Sequence, residues 1–277
     1  MTEPKIVVLP DPDACSAEAA RRIAASLTAT AAERGRAHWV TTGGSTPAAI
    51  YRRLAVEPLR PTVPWDRVEL WFTDERFVAL DHPLSNAKIA FDALLHADAL
   101  AGASGSGGGA IDVIDHDSYG APIPAANVHP FPTGTAIGQG RDAAWCAARA
   151  TEMLQAADLP VTDGWPAFDL VLLGVGSDGH LLSVFPGSAT FDAPDWVLAV
   201  PAPTHIEPHV ERITLNPRIL DVARELVVVA TGGGKVDALR GIFGPERDPR
   251  LLPAQLARRS GATWILDEAA AAALPPR

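Results

Sequence analysis

Short apolar runs alternate along the chain with longer segments in which small and apolar side chains recur at helical spacing. The runs at 6–9, 38–42, 68–73, 168–174, 226–231 and 263–266 are rich in branched and aromatic residues, and most end at Gly, Pro or Asp. They predict strands, and a shorter run at 127–131 predicts another. Between them, 16–34, 47–54, 85–95 and 142–157 predict helices, as do the residues after Gly232-Gly233-Gly234 to about 242 and a short Ala-rich stretch from Asp267. Strands that alternate with helices in this way form a mostly parallel sheet with helices on both faces. The runs at 197–200 and 211–215 stand outside the alternation and predict a small antiparallel addition. Residues 101–109 are Ala, Gly and Ser only, the composition of a flexible linker. Alternation resumes beyond them in the same charge regime. The expectation is one α/β domain over 1–277, with a surface insertion at about 101–120.

A chain of 277 residues buries a core large enough to fold without disulfides or a structural metal. Cys15 and Cys146 lie in Ala-rich helical surroundings with no His at zinc-site spacing, so both are expected as reduced core residues. A net charge of −10 argues against generic nucleic-acid binding. It leaves room for an anionic metabolite, which a few local cations and backbone N–H groups can hold. The first ten residues lack the basic and long apolar regions of a secretion signal, and no run reaches ~18 apolar residues. A cytoplasmic protein with no membrane partner is expected, as a monomer or a small homo-oligomer.

In parallel α/β sheets ligands bind at the carboxyl ends of the strands, so the residues just past each strand are informative. Thr41-Thr42-Gly43-Gly44-Ser45-Thr46-Pro47 lies past one, and Thr73-Asp74-Glu75-Arg76 past the next. Gly174-Val175-Gly176-Ser177-Asp178-Gly179-His180 and Thr231-Gly232-Gly233-Gly234-Lys235 lie past two others. These ends carry glycines, hydroxyls, acids, an Arg, a His and a Lys, while the strand interiors carry almost none. Gly43 and Gly44 let the backbone approach a ligand closely. Ser45 and Thr46 can cap the next helix or donate to an anion, or serve simply as an ordinary cap. Walker-loop spacing is absent. Lys235 suits a phosphate as a point charge, and equally a solvated helix start. Arg212, on an expected strand, carries the same two readings. Gly174-x-Gly176-x-x-Gly179 matches a dinucleotide fingerprint only superficially: it comes late, Pro186 interrupts the segment that should be the binding helix, and no ribose-binding acid lies beyond it. His180 is the side chain best suited to accept and return a proton near neutral pH, with Asp178 placed to orient it or a water.

Taken together these segments resemble the 6-phosphogluconolactonase family. The resemblance rests on Thr42-Gly43-Gly44-Ser45-Thr46-Pro47, Thr73-Asp74-Glu75-Arg76 with Ser85-Asn86, Gly174 to His180 with Phe185-Pro186-Gly187, and Arg212-Ile213-Thr214 with Gly234-Lys235. They keep the family's order over nearly the whole chain. The resemblance implies a modified Rossmann-like, three-layer αβα sandwich shared with glucosamine-6-phosphate deaminases. Those deaminases carry a catalytic Glu five residues after the corresponding His, where this chain has Phe185.

The resemblance further implies hydrolysis of 6-phospho-D-glucono-1,5-lactone with no cofactor and no metal. His180 would act as general base and return its proton to the ring oxygen, and Asp178 would orient it. Arg76 would stabilise developing negative charge, and Asp74 would position sugar hydroxyls or the Arg. Gly43, Gly44, Ser45, Thr46, Arg212 and Lys235 would hold the phosphate. Two alternatives stay open: an amino-sugar phosphate deaminase or isomerase, which Phe185 disfavours, and a non-enzymatic sugar-phosphate sensor. The sensor reading is disfavoured because the first strand begins so near the first residue that a DNA-binding unit has no room before it.

Overall fold

The computed structural model describes residues 3–95 and 120–274. Among these residues twelve strands run in chain order: Lys5–Leu9 (β1), Ala37–Thr41 (β2), Val68–Phe72 (β3), Asp74–Arg76 (β4), Val128–His129 (β5), Val161–Thr162 (β6), Trp165–Pro166 (β7), Leu170–Gly174 (β8), Val197–Val200 (β9), Arg212–Leu215 (β10), Glu225–Ala230 (β11) and Ala262–Asp267 (β12). The helices are Pro12–Arg34 (α1), Ser45–Leu54 (α2), Asn86–Ala93 (α3), Thr133–Gly138 (α4), Ala143–Ala156 (α5), Ile219–Val222 (α6), Val236–Ile242 (α7) and Glu268–Ala271 (α8).

Seven strands form the main sheet in the order β1-β12-β11-β8-β2-β3-β5, with every neighbouring pair parallel. β2, β3 and β12 are buried along their whole length. That explains why they read as continuous apolar runs rather than alternating ones: both faces are covered. The core holds Trp39, Trp264, Tyr51, Phe72 and Phe168, all essentially inaccessible. β4, β10 and β9 make the small antiparallel sheet, and β6 and β7 a short hairpin. The architecture is the α/β sandwich expected from the alternation.

The order of strands places the site. From β2 the chain moves outward to β3, and from the adjacent β8 it moves the other way to β11. β2 and β8 therefore flank a topological switch point, where diverging connections leave a crevice at the carboxyl ends of the strands.

Local chemistry sets the boundaries. α1 starts before the expected residue 16 because the Asp11 carboxylate accepts the Ala14 N–H at 2.8 Å and Pro12 suits the first helical position. It ends at Gly35, whose φ of 81° suits a left-handed cap. β5 covers only two residues of the expected 127–131, because Pro130 has no N–H for a ladder. Residues 74–76, expected only as the residues past the strand at 68–73, pair with β10 as a short strand of their own. α4 was not expected, since its sequence, Thr-Gly-Thr-Ala-Ile-Gly, has low intrinsic helicity. Cys15 and Cys146 are buried and unpaired, and burial pushes their thiols up to about 11 and about 12. Apart from Gly120, the insertion expected at 101–120 lies outside the described residues.

Candidate active site

The four strand ends meet through specific contacts. The backbone after β2 passes so close to α3 that a Cβ on Gly43 would lie 1.9 Å from Asn86 Oδ1, so only glycine fits there. Asn86 donates through Nδ2 to the Asp74 carbonyl at 2.9 Å, tying α3 to β4. Ser183, just past the turn after β8, donates to Asp74 Oδ2 at 2.6 Å. Thr46, at the start of α2, lies 3.4 Å from Thr231, at the end of β11, hydroxyl to hydroxyl. Loops distant in sequence thus share one rim of the sheet.

β4 carries two acids with structural duties. The Asp74 carboxylate is 6% exposed and is taken up by Ser183 and by the Thr73 hydroxyl at 2.8 Å. Glu75 accepts the N–H groups of Arg76, Asn86 and Ala87 and the Ser85 hydroxyl, at 2.6–2.9 Å. Burial pushes its carboxyl up, against the pull of those four donors. It closes the amino end of α3, where free N–H groups and the helix dipole favour an acid.

The cations of the small sheet stand side by side. Arg212 and Arg76 are direct partners across the β10–β4 ladder. Arg212 is 3% exposed, and it donates to the carbonyls of Val210 and Pro208 at 3.1 and 2.7 Å. Burial pushes its guanidinium down, as does neighbouring Arg76, while Asp74 and Glu75 act the other way. Arg76 donates through one terminal nitrogen to the Leu84 carbonyl at 2.8 Å. Its Nε is buried and has no hydrogen-bond partner among the described residues. Two adjacent cations with donor capacity left over are suited to an anion.

In the turn after β8, His180 Nδ1 lies 2.5 Å from Asp178 Oδ1, and the same oxygen accepts the His180 backbone N–H at 3.1 Å. The other oxygen, Oδ2, lies 2.9 Å from Nε2 of His205, on the β9–β10 loop. Desolvation works to raise the Asp178 carboxyl. The His180 hydrogen bond and charge and the His205 hydrogen bond outweigh it, holding the group below the ordinary carboxylate range. An ionised Asp178 fixes the proton of a neutral His180 on Nδ1, leaving a lone pair on Nε2. Phe185 packs against both imidazoles, with ring centroids 4.9 Å from His180 and 5.6 Å from His205. The pair needs Gly176: a Cβ there would lie 2.0 Å from His180 Nδ1 and 2.5 Å from Asp178 Oδ1. Lys235 comes directly after Gly232–Gly234 and is half-buried. Desolvation pushes its amine down, and the Asp178 charge acts in the opposite direction.

The family model described as "Glucosamine-6-phosphate isomerases/6-phosphogluconolactonase" matches residues 10–265. The chain belongs to this family. It is 34% identical over 252 residues to a 6-phosphogluconolactonase of Synechocystis, covering 90% of each chain. It is 34% identical over 274 residues to one of Mycobacterium tuberculosis, covering 98% of each. Among solved structures, 6-phosphogluconolactonase from Trypanosoma brucei superposes with a TM-score of 0.78 at 27% identity, over 99% of this chain and 100% of that one. A monomeric glucosamine-6-phosphate deaminase shares the fold, with a TM-score of 0.69 at 18% identity.

The residues that the sequence singled out in this family member divide in two. Asp178 with His180, and Arg76 with Arg212, are brought together, and Lys235 is within electrostatic reach of Asp178. Gly43, Ser45 and Thr46 sit at the switch point, with Gly44 as the N-cap position of α2. Asp74 is there too, but its carboxylate is spent on Ser183 and Thr73. Sequence reasoning missed the contact of Ser183 with Asp74 and missed His205 altogether. Ser183 opens the segment 183–187 that resembles the lactonases, but its partner is remote in sequence; His205 lies in a Pro-rich loop with no periodicity to expose it. Among the described residues no group of three or more His, Cys, Asp and Glu side chains could hold a metal ion.

Proposed function

We propose that the protein hydrolyses 6-phospho-D-glucono-1,5-lactone to 6-phospho-D-gluconate, a step of the oxidative pentose phosphate pathway. The observation that carries the reading is the Asp178–His180 pair, with the imidazole's Nε2 left free to take a proton from water. Water adds to the lactone carbonyl as His180 removes its proton. The tetrahedral intermediate then expels the ring oxygen, which takes that proton back. The ring C–O bond breaks and an open-chain acid leaves. Asp178 balances the imidazolium charge between the two transfers. Arg76 faces the negative charge that develops on the lactone oxygens. Arg212, Lys235 and the amino end of α2 with Ser45 and Thr46 hold the phosphate, fixing the ring against His180. Asp74 acts as a positioning residue, holding the Ser183 segment to β4.

The protein works as one 1–277 domain, in the cytoplasm, as a monomer or small homo-oligomer with no nucleic-acid or membrane partner. The net charge of −10 supports the absence of a nucleic-acid partner, and among the described residues no helix is long and apolar enough to cross a membrane.

The test is loss of freshly made lactone against its spontaneous hydrolysis, with 6-phosphogluconate read by a coupled dehydrogenase and chelator present. Wild type should accelerate the reaction and His180→Ala should lose ~10²–10⁴-fold in kcat. No acceleration by folded wild type overturns the activity; normal turnover by His180→Ala overturns the base.

A further inference from the structure

Asp178 serves two imidazoles, and the proposed reaction uses only one of them. His180 takes Oδ1 at 2.5 Å, and His205 takes Oδ2 at 2.9 Å. The two rings come from different elements, the turn after β8 and the β9–β10 loop, and they share Phe185 as a wall. We propose that His205 is a positioning residue for the lactonase reaction: by bonding the far oxygen of Asp178 it divides that carboxylate's charge and sets how basic His180 is.

The physical argument is one of competition. A carboxylate stabilises an imidazolium beside it in proportion to the charge it presents. A donor on the second oxygen withdraws part of that charge, and a protonated His205 withdraws more. Both effects make His180 harder to protonate, which keeps the base free at lower pH. The other charged or titratable groups near the cluster come from two elements. Lys235 faces Asp178 from the β11 turn. On the loop of His205 itself, Glu207 and His209 pair with each other at 3.1 Å, and His209 also lies 2.7 Å from the Pro203 carbonyl. Phe185, from the segment after His180, brings no charge. The side chain of His205 is about half exposed, so replacing it leaves the core intact.

The inference rests on His180 being the base. The experiment is the pH profile of kcat/KM for wild type, His205→Phe and His205→Gln, with thermal melting as a folding check. Phe removes the donor and keeps a ring beside Phe185; Gln restores an N–H donor. In His205→Phe the acid limb should move up by about half to one pH unit, which is roughly three- to tenfold less activity below the limb. The plateau should fall less than about threefold, and His205→Gln should recover most of the shift. An unmoved limb in His205→Phe overturns the proposal, as does a uniform loss at every pH that Gln does not repair, since that marks a mere loop anchor. The two failures separate cleanly. If His180→Ala keeps its turnover, the base assignment falls. If His180→Ala is dead and the His205→Phe limb is unmoved, only the role of His205 falls.

Discussion

Replacing Gly176 by Ala adds one methyl group to the protein, at a place where the structure has no room for it. The new Cβ would lie 2.0 Å from His180 Nδ1, 2.3 Å from its Cε1 and 2.5 Å from Asp178 Oδ1. The backbone at 176 is not in the left-handed region, and the three atoms nearest the added Cβ all belong to the Asp178–His180 pair. To reach ordinary contact at 3.4 Å the imidazole must retreat by about 1.4 Å. A displacement of about 1 Å from the productive geometry costs on the order of 10²-fold in rate, or about 2.7 kcal/mol of barrier. Turnover of 6-phosphogluconolactone should therefore fall roughly a hundredfold, with KM changed less than about threefold, since the phosphate ligands are untouched. The melting temperature should change little, because His180 can move toward solvent. The control lies two residues away: a Cβ on Gly174 meets nothing within 4 Å, so Gly174→Ala should keep full activity. Near-normal kcat in folded Gly176→Ala would refute the geometry of the pair. Equal losses in both variants would point to the loop as a whole.

Lys235→Ala should raise KM by roughly tenfold or more, the size of one lost charge-assisted hydrogen bond, with a smaller change in kcat; steady-state kinetics on the lactone would check this, and an unchanged KM would remove Lys235 from the phosphate site. Asp178→Asn offers His180 an amide in place of a carboxylate, which supports the wrong tautomer; kcat should fall about 10³-fold or more. The same variant tests linkage. Asp178 has a depressed carboxyl pKa in the folded protein, so its stabilisation is present above the unfolded carboxyl value near ~4 and is lost as pH falls below it. Urea midpoints of wild type and Asp178→Asn should differ near neutral pH and converge below about pH 4; a constant gap would contradict the shift.

Much of this was legible in the residues because the physics that formed the elements is local. Parallel strands buried on both faces print continuous apolar runs, and that pattern marked β2, β3, β8, β11 and β12. Caps and prolines moved boundaries by a few residues, as Asp11 and Pro12 do for α1. That polar residues gather at one rim of the sheet was legible too, since ligand sites in such folds lie where strands end. What the sequence could not carry was the division of labour among those residues. Asp74 and Glu75 look alike as acids after a strand, yet both are spent on tertiary hydrogen bonds fixed by β10 and α3 packing. Ser183 and His205 contact partners 109 and 27 residues away, and no spacing rule spans such distances. Gly176 was visible as part of a fingerprint-like run, but its reason, room for the Asp178–His180 pair, exists only in three dimensions.

The same geometry bears on why one scaffold separates two reactions. The related deaminases are expected to place a carboxylate five residues after the His, and here that position is Phe185, 8% exposed and packed between two imidazoles. A second acid at this point would compete with Asp178 for both His180 and His205, and would leave His180 shared between two carboxylates. With phenylalanine there, the imidazole has one charged partner on Nδ1 and an apolar wall beside its ring. It keeps a single free nitrogen for water. Lactone hydrolysis needs one proton carried out and the same proton returned, which a single imidazole can do. The apolar side chain at 185 thus leaves His180 as the one proton carrier of the proposed reaction, with the proposed influence of His205 reaching it through Asp178.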